Sequence, residues 1–351
     1  MKALNLYEKQ DVRYEDVAMP EITDEQDVII KVITAGICGS DISRFGKIGS
    51  YHPGLTWGHE FAGRVVKTGN GVQGIKVGDR VVACPCFPCY ACDYCLQGRF
   101  ARCLHLEVLG GHRNGAFADY ISVPAANVVA IPPALDYAAA TFVEPSCVVV
   151  HGLNQITVRP GASVAVVGCG TIGLLAVQWA KVFGASRVYA FDTDMSKLET
   201  AEKTGADAVF NVTEKACFQH FAAVTGNKGC DVVIESSGNA AGIASSLTLA
   251  AKGGCVLMLG IPYGDVPLPR DSFEKIIRNE LTVKGSWNSI SAPFPGREWG
   301  VSVDYLSKGI IDVQPLITHR ITLAQAPTIF PQLYARELPF IKVLIDMEAA
   351  G

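Results

Sequence analysis

The sequence contains no stretch of about 18 uninterrupted apolar residues, which excludes a membrane-spanning helix. Its first residues, MKALNLYEKQDVRYED, lack the apolar core of a secretory leader, so a cytoplasmic location is the expectation. There is no long basic run, and 30 Lys and Arg stand against 34 Asp and Glu, a formal charge of -4. Neither nucleic acid nor an anionic membrane is therefore expected as a main partner. Charged residues are only 18 % and hydrophobic residues 49 %, the opposite of a disordered chain. Internal repeats and low-complexity segments are also missing, which argues against a solenoid.

What is present is enough chain for two domains, at 351 residues, and 12 cysteines. In a reducing compartment these are not a disulfide framework. Seven of them are Cys38, Cys84, Cys86, Cys89, Cys92, Cys95 and Cys103. The other five, Cys147, Cys169, Cys217, Cys230 and Cys255, sit in apolar surroundings and read as small buried hydrophobes.

The first 150 residues read as β-rich, with strands at Val28 to Thr34, Phe61 to Val66 and Arg80 to Ala83, closely punctuated by Gly and Pro. No helical period of useful length precedes Tyr137. From about Arg159 the pattern alternates. A strand at Ser163 to Val167 precedes a helix at Thr171 to Phe183; a strand at Arg187 to Phe191 precedes a helix at Ser196 to Thr204. Further strands follow at Asp231 to Glu235 and Cys255 to Leu259. Such alternation implies a doubly wound parallel sheet, an α/β fold. Beyond Gly285 the chain reads as irregular, then helical, ending in a strand at Phe340 to Ile345.

Gly168-Cys-Gly170-Thr171-Ile172-Gly173 is a GxGxxG fingerprint between that first strand and helix. Gly168 allows a tight turn, Gly170 lets backbone approach a pyrophosphate, and Gly173 lets helix and strand pack closely. The helix N-terminus offers free N–H groups and positive potential to the phosphates. Asp192 ends the next strand, 19 residues beyond Gly173. There it would accept hydrogen bonds from the adenosine ribose and repel a 2′-phosphate, so NAD is expected over NADP.

Cys89-x2-Cys92-x2-Cys95-x7-Cys103 can close four thiolates around a structural zinc. Spacing alone leaves Cys86, Cys89, Cys92 and Cys95 as an alternative set. A dispersed second set is Cys38, His59 with Glu60, and Glu144. Cys, His and a carboxylate are three zinc donors with one position left open for water or substrate. Sequence distance does not establish that they meet.

At these residues the whole chain resembles the zinc-dependent medium-chain dehydrogenase/reductase family. The run Gly58-His-Glu-Phe-Ala-Gly-Arg-Val-Val-Lys-Thr-Gly-Asn-Gly-Val72 is similar to that family's zinc signature, and Gly78-Asp-Arg-Val81, the cysteine lobe and the glycine fingerprint follow in order. Gly170-Thr-Ile-Gly-Leu-Leu-Ala176, Lys284-Gly-Ser-Trp-Asn288 and Pro293-Phe-Pro-Gly-Arg-Glu-Trp299 are closest to its sorbitol dehydrogenase branch. The resemblance implies a GroES-like β-rich catalytic domain over 1–150 and 286–351, with a Rossmann NAD-binding domain over 151–285. It implies two zincs per chain and NAD. Cys38, His59 and Glu144 would hold a catalytic zinc, with Glu60 as an adjacent exchanging ligand. Cys89, Cys92, Cys95 and Cys103 would hold the structural one. Ser40 would begin a proton relay and Asp41 would orient His59. Position 43 is Ser where many relatives have His, so the relay would continue through water or a cofactor hydroxyl. Asp192 and Lys197 would bind the adenosine half of NAD; Ile172, Leu259, Gly260, Ile261, Ser286, Trp287 and Asn288 would line the rest of its site.

The expected reaction is oxidation of a secondary alcohol on a polyol or polyol phosphate by a homodimer or homotetramer. Arg44, Lys47, Arg113 and Arg297 are the cations a phosphate group could meet. A threonine- or butanediol-type dehydrogenase is the alternative; a non-catalytic zinc and nucleotide sensor is the rival from another class.

Overall fold

A computed structural model describes residues 1–347. The chain divides into two compact units, residues 1–147 with 288–351 and residues 148–287.

The first unit is built on a seven-stranded sheet. Its path runs Val128–Ala130, Arg80–Ala83, Glu60–Thr68, Asp27–Gly36, Lys342–Asp346 and Ile317–Thr322, and Tyr120–Pro124 pairs with Asp27–Gly36 off that path. Asp27–Gly36 is buried along most of its length, which is why its sequence reads as a nearly continuous apolar run rather than an alternation. It pairs with Glu60–Thr68 and Tyr120–Pro124, and near its end also with Lys342–Asp346. Leu4, Val28, Ile30, Trp57, Phe61, Phe117, Phe330 and Val343 form part of one core beneath it. The hairpin Lys2–Glu8 with Asp11–Asp16, absent from the sequence reading, packs Leu4 and Leu6 into that core.

The second unit is a six-stranded parallel sheet in the order Ala208–Asn211, Arg187–Asp192, Ser163–Val167, Cys230–Glu235, Ala250–Met258, Thr282–Gly285. The order reverses direction at Ser163–Val167 beside Cys230–Glu235, the switch point at which doubly wound sheets take ligands. Ala208–Asn211 and Thr282–Gly285 are edge strands that the sequence reading did not name. On one face Tyr189, Phe191, Phe210 and Phe221 pack ring to ring, with Phe191 and Phe210 stacked at 4.9 Å. Helices Arg297–Ser307 and Ala326–Ala335 bracket Ile317–Thr322, so the tail expected to be irregular and then helical also contributes a strand. Of the five scattered cysteines, Cys147, Cys169, Cys217 and Cys230 are buried, whereas Cys255 is partly exposed. No helix among the described residues is long and apolar enough to cross a membrane.

Candidate active site

Cys38 ends the strand-to-helix turn and caps the short helix Gly39–Ser43, which carries Ser40 and Asp41. Asp41 closes this turn: its Oδ2 accepts a 2.9 Å hydrogen bond from the Cys38 N–H. Across the sheet, Gly58 takes φ +92, a left-handed conformation in which a Cβ would run into the Phe117 ring. That turn delivers His59 to the start of Glu60–Thr68, and Glu60 lies opposite Gly36 in the ladder. Ligand atoms of Cys38, His59 and Glu60 consequently fall within 4.8 Å of one another.

Glu144 is outside that mutual set. It lies on the helix Val143–Leu153, and its Oε1 is 3.5 Å from the Ser289 hydroxyl. Burial pushes its carboxyl up to about 7, with the Glu60 charge adding to the shift and His59, Lys342 and Ser289 opposing it. His59 Nδ1 faces Asp41 Oδ1 at 3.7 Å. Burial works against the imidazolium, yet the Asp41 and Cys38 charges outweigh it and raise the His59 pKa well above its ordinary value. Asp41 is itself pushed up by burial, and its Oδ1 has no hydrogen-bond partner among the described residues. Lys342, to which the sequence reading gave no role, is buried with its ammonium on Glu60. A lysine opening a final strand whose next three residues, Val343 to Ile345, are apolar was the signal available for it.

The second cluster is Cys89, Cys92, Cys95 and Cys103, again with sulfurs within 4.8 Å of one another. Cys86 is not in it; it is fully buried and paired with Val108 in a separate two-stranded ribbon. Backbone N–H groups point at the sulfurs: Cys89 to Cys103 at 3.2 Å, Cys92 to Cys89 and His105 to Cys103 at 3.4 Å. N–H donors from Leu104 and Cys95 bring the Cys92 thiol down to about 6, which favours the thiolate a metal needs. Burial holds Cys95 up at about 12. Tyr90, Phe100 and Phe294 pack edge to face beside the lobe, at 5.6 to 5.9 Å.

In the second unit, Gly168 takes φ +90, and a Cβ there would come within 2.9 Å of the Ser237 backbone nitrogen. A Cβ on Gly173 would collide with the Gly168 carbonyl. Thr171–Val182 starts immediately after Gly170, so the N-terminus of this helix opens at the switch point. Asp192 Oδ2 accepts from the Cys169 N–H at 2.6 Å, and its Oδ1 from the Thr193 and Asp194 N–H groups at 2.7 and 2.9 Å. These bonds tie the acid to the glycine turn. Lys197 lies on the following helix, Met195–Lys203. The N–H groups of Leu259 and Gly260 both donate to the Glu235 carbonyl, at 2.8 and 3.0 Å. Ile261 is exposed, Ser286 accepts from Gln155 at 2.8 Å, and Trp287 is half exposed. Asn288 has φ +59, and its buried Nδ2 has no hydrogen-bond partner among the described residues.

The donor sets fit the groups expected of them. Four thiols with inward N–H donors suit a closed zinc site, and thiol, imidazole and carboxylate suit an open one. The glycine turn leaves its backbone bare where a pyrophosphate would approach.

A GroES-like unit with a mixed donor cluster and a doubly wound unit with a glycine cradle together define a zinc-dependent dehydrogenase, and this chain belongs to that family. Residues 24–133 match the alcohol dehydrogenase GroES-like domain, and residues 171–297 match the zinc-binding dehydrogenase domain. It is 34 % identical over 309 residues to galactitol 1-phosphate 5-dehydrogenase of Escherichia coli (strain K12), covering 88 % of this chain and 89 % of that one. It is 31 % identical over 351 residues to sorbitol dehydrogenase of Bacillus subtilis (strain 168), covering 98 % and 97 %. The crystal structure of galactitol-1-phosphate dehydrogenase from Escherichia coli superposes with a TM-score of 0.93, at 32 % identity over 99 % of this chain and 100 % of that one. The protein is an oxidoreductase, and zinc and a nicotinamide dinucleotide are its family's cofactors.

Proposed function

We propose that this chain oxidises a secondary alcohol on a polyol or polyol phosphate to the ketose, reversibly, using zinc and NAD. The observation that carries the reading is the meeting of Cys38, His59 and Glu60 within 4.8 Å, from residues up to 22 positions apart in sequence. Cys38, His59 and Glu144 would hold the catalytic zinc, with Glu60, close to Cys38 and His59, as the adjacent exchanging donor. Cys89, Cys92, Cys95 and Cys103 would hold the second zinc. When bound, zinc supplies Lewis acidity toward the alcohol oxygen and NAD supplies the hydride acceptor.

The chain's own residues do the rest. Asp41 faces His59 Nδ1 at 3.7 Å, a charge that would orient the ring and leave Nε2 for a metal. Ser40 takes the carbinol proton through its hydroxyl. Ser43 lacks the basicity of an imidazole, so water or a cofactor hydroxyl carries that proton onward. Asp192 would select NAD, because a second anion beside its carboxylate is repelled.

Support for a phosphorylated substrate comes from Arg44. Arg113 is committed to Glu107 at 2.5 Å and lies over Phe87, and Lys47 and Arg297 are exposed. Arg44 stacks on the Tyr51 ring at 4.5 Å, and among the described residues it forms no ion pair and its Nη1 has no hydrogen-bond partner. The test is NADH formation over a panel of polyols, their phosphates, threonine and butanediol. A preference for galactitol 1-phosphate or a near relative supports the reading. Turnover of threonine or butanediol alone contradicts it.

A further inference from the structure

The register that assembles the metal cluster builds a second contact at its edge. Gly36 lies opposite Glu60 on one neighbouring strand and opposite Leu344 on the other. Lys342 enters from that second strand. Its Nζ is 2.5 Å from Glu60 Oε2 and 3.0 Å from the Ile37 carbonyl oxygen. Both side chains are out of water, 3 % and 2 % exposed. A Cβ on Gly36 would run into Glu60 Oε2, so the missing side chain leaves the carboxylate its seat.

A buried ammonium without a counter-charge is costly, so Lys342 needs Glu60. The same carboxylate lies within metal-sharing distance of Cys38 and His59. With a metal held there, this one anion would be shared between two cations. Charge donated to the ammonium is charge withheld from the metal, and each partner weakens the other's hold.

We propose that Lys342 is a positioning residue that holds Glu60 by Oε2 and keeps it a displaceable ligand of the metal, so that a substrate oxygen can take its place. The proposal rests on the reading of Cys38, His59 and Glu60 as the catalytic metal site. Without Lys342 the carboxylate belongs wholly to the metal, and the position a substrate needs is closed.

The test uses the full chain with cobalt in place of zinc, whose visible spectrum reports the ligand set. Three things are read for Lys342→Met: the spectrum, the rate at which a chelator removes the metal, and the separate kcat and KM for the alcohol. The expected result is a changed spectrum, metal release slowed about tenfold, and KM raised about tenfold, the scale typical of groups that orient metal ligands. Lys342→Arg restores the wild-type values. In Glu60→Gln the added Lys342→Met change has no further effect, because the lysine acts through that carboxylate. A wild-type spectrum and release rate in Lys342→Met would overturn the proposal, as would a full additional effect in the double variant. Should Lys342→Met fail to fold, the double variant against Glu60→Gln decides, since no unpaired carboxylate remains in it. An unchanged spectrum in Glu60→Gln alone would instead strike at the metal reading of Glu60.

Discussion

Asp41 divides its carboxylate between two neighbours: Oδ2 accepts from the Cys38 N–H at 2.9 Å, while Oδ1 stands 3.7 Å from His59 Nδ1. One buried acid therefore holds the turn that carries one proposed zinc donor and sets its charge facing the ring of another. Asp41→Asn keeps an acceptor for Cys38 but removes the charge. The His59 proton must leave before metal binds, and a raised pKa makes uptake weaken as pH falls through that value. Asp41→Asn lowers this pKa, so the weakening moves to lower pH. Above it, zinc affinity falls roughly 10- to 100-fold because the ring is no longer held. Competitive zinc titrations across pH measure both changes.

Zinc content separates the two cysteine registers. Cys95→Ser removes one sulfur from the four-thiol cluster and should cost one zinc per chain and lower the melting temperature. Cys86→Ser touches a buried ribbon residue outside that cluster and should leave zinc content unchanged. Metal analysis of the purified variants reads both.

Asp192→Ser should shift cofactor preference. The carboxylate's hydrogen bonds to a ribose, at about 1.5–3 kcal/mol each, set a loss of roughly 10- to 100-fold in kcat/KM for NAD. Activity with NADP should rise in the same variant, because the repelling charge is gone. Its bonds to the Cys169, Thr193 and Asp194 N–H groups are lost too, so the glycine turn loosens and KM carries most of the change.

Arg44→Met tests the phosphate reading. Losing a charged hydrogen bond of about 1.5–3 kcal/mol should reduce kcat/KM on a polyol phosphate by roughly 10- to 100-fold. The unphosphorylated polyol should change little. Equal losses on both substrates would make Arg44 a structural residue packed on Tyr51.

Features encoded over short stretches were legible in the sequence. The strand, glycine turn and helix from Ser163 onward depend on neighbours in the chain, and the family resemblance carried the GroES-like half. The edge strands Ala208–Asn211 and Thr282–Gly285 have four residues each, too few to show a period. Strand Ile317–Thr322 alternates partly buried with exposed positions, and its Thr, His and Arg masked that pattern. The site's long-range contacts were hidden for another reason. Lys342 meets Glu60 across 282 positions, and Ser289 meets Glu144 across 145. Such pairings follow from sheet register and chain closure, which a single sequence does not display. Glu144 was expected among the metal ligands; geometry groups Glu60 with Cys38 and His59 more tightly, because Glu60 shares a ladder with Gly36 just before Cys38.

Metal dependence is the most direct test of the account. NADH formation from galactitol 1-phosphate would be followed on protein of known zinc content, then after chelation, then after zinc is restored. Turnover should disappear on chelation and return with zinc, and His59→Ala should abolish it while NAD still binds. Undiminished turnover by protein shown to contain no metal would contradict the account.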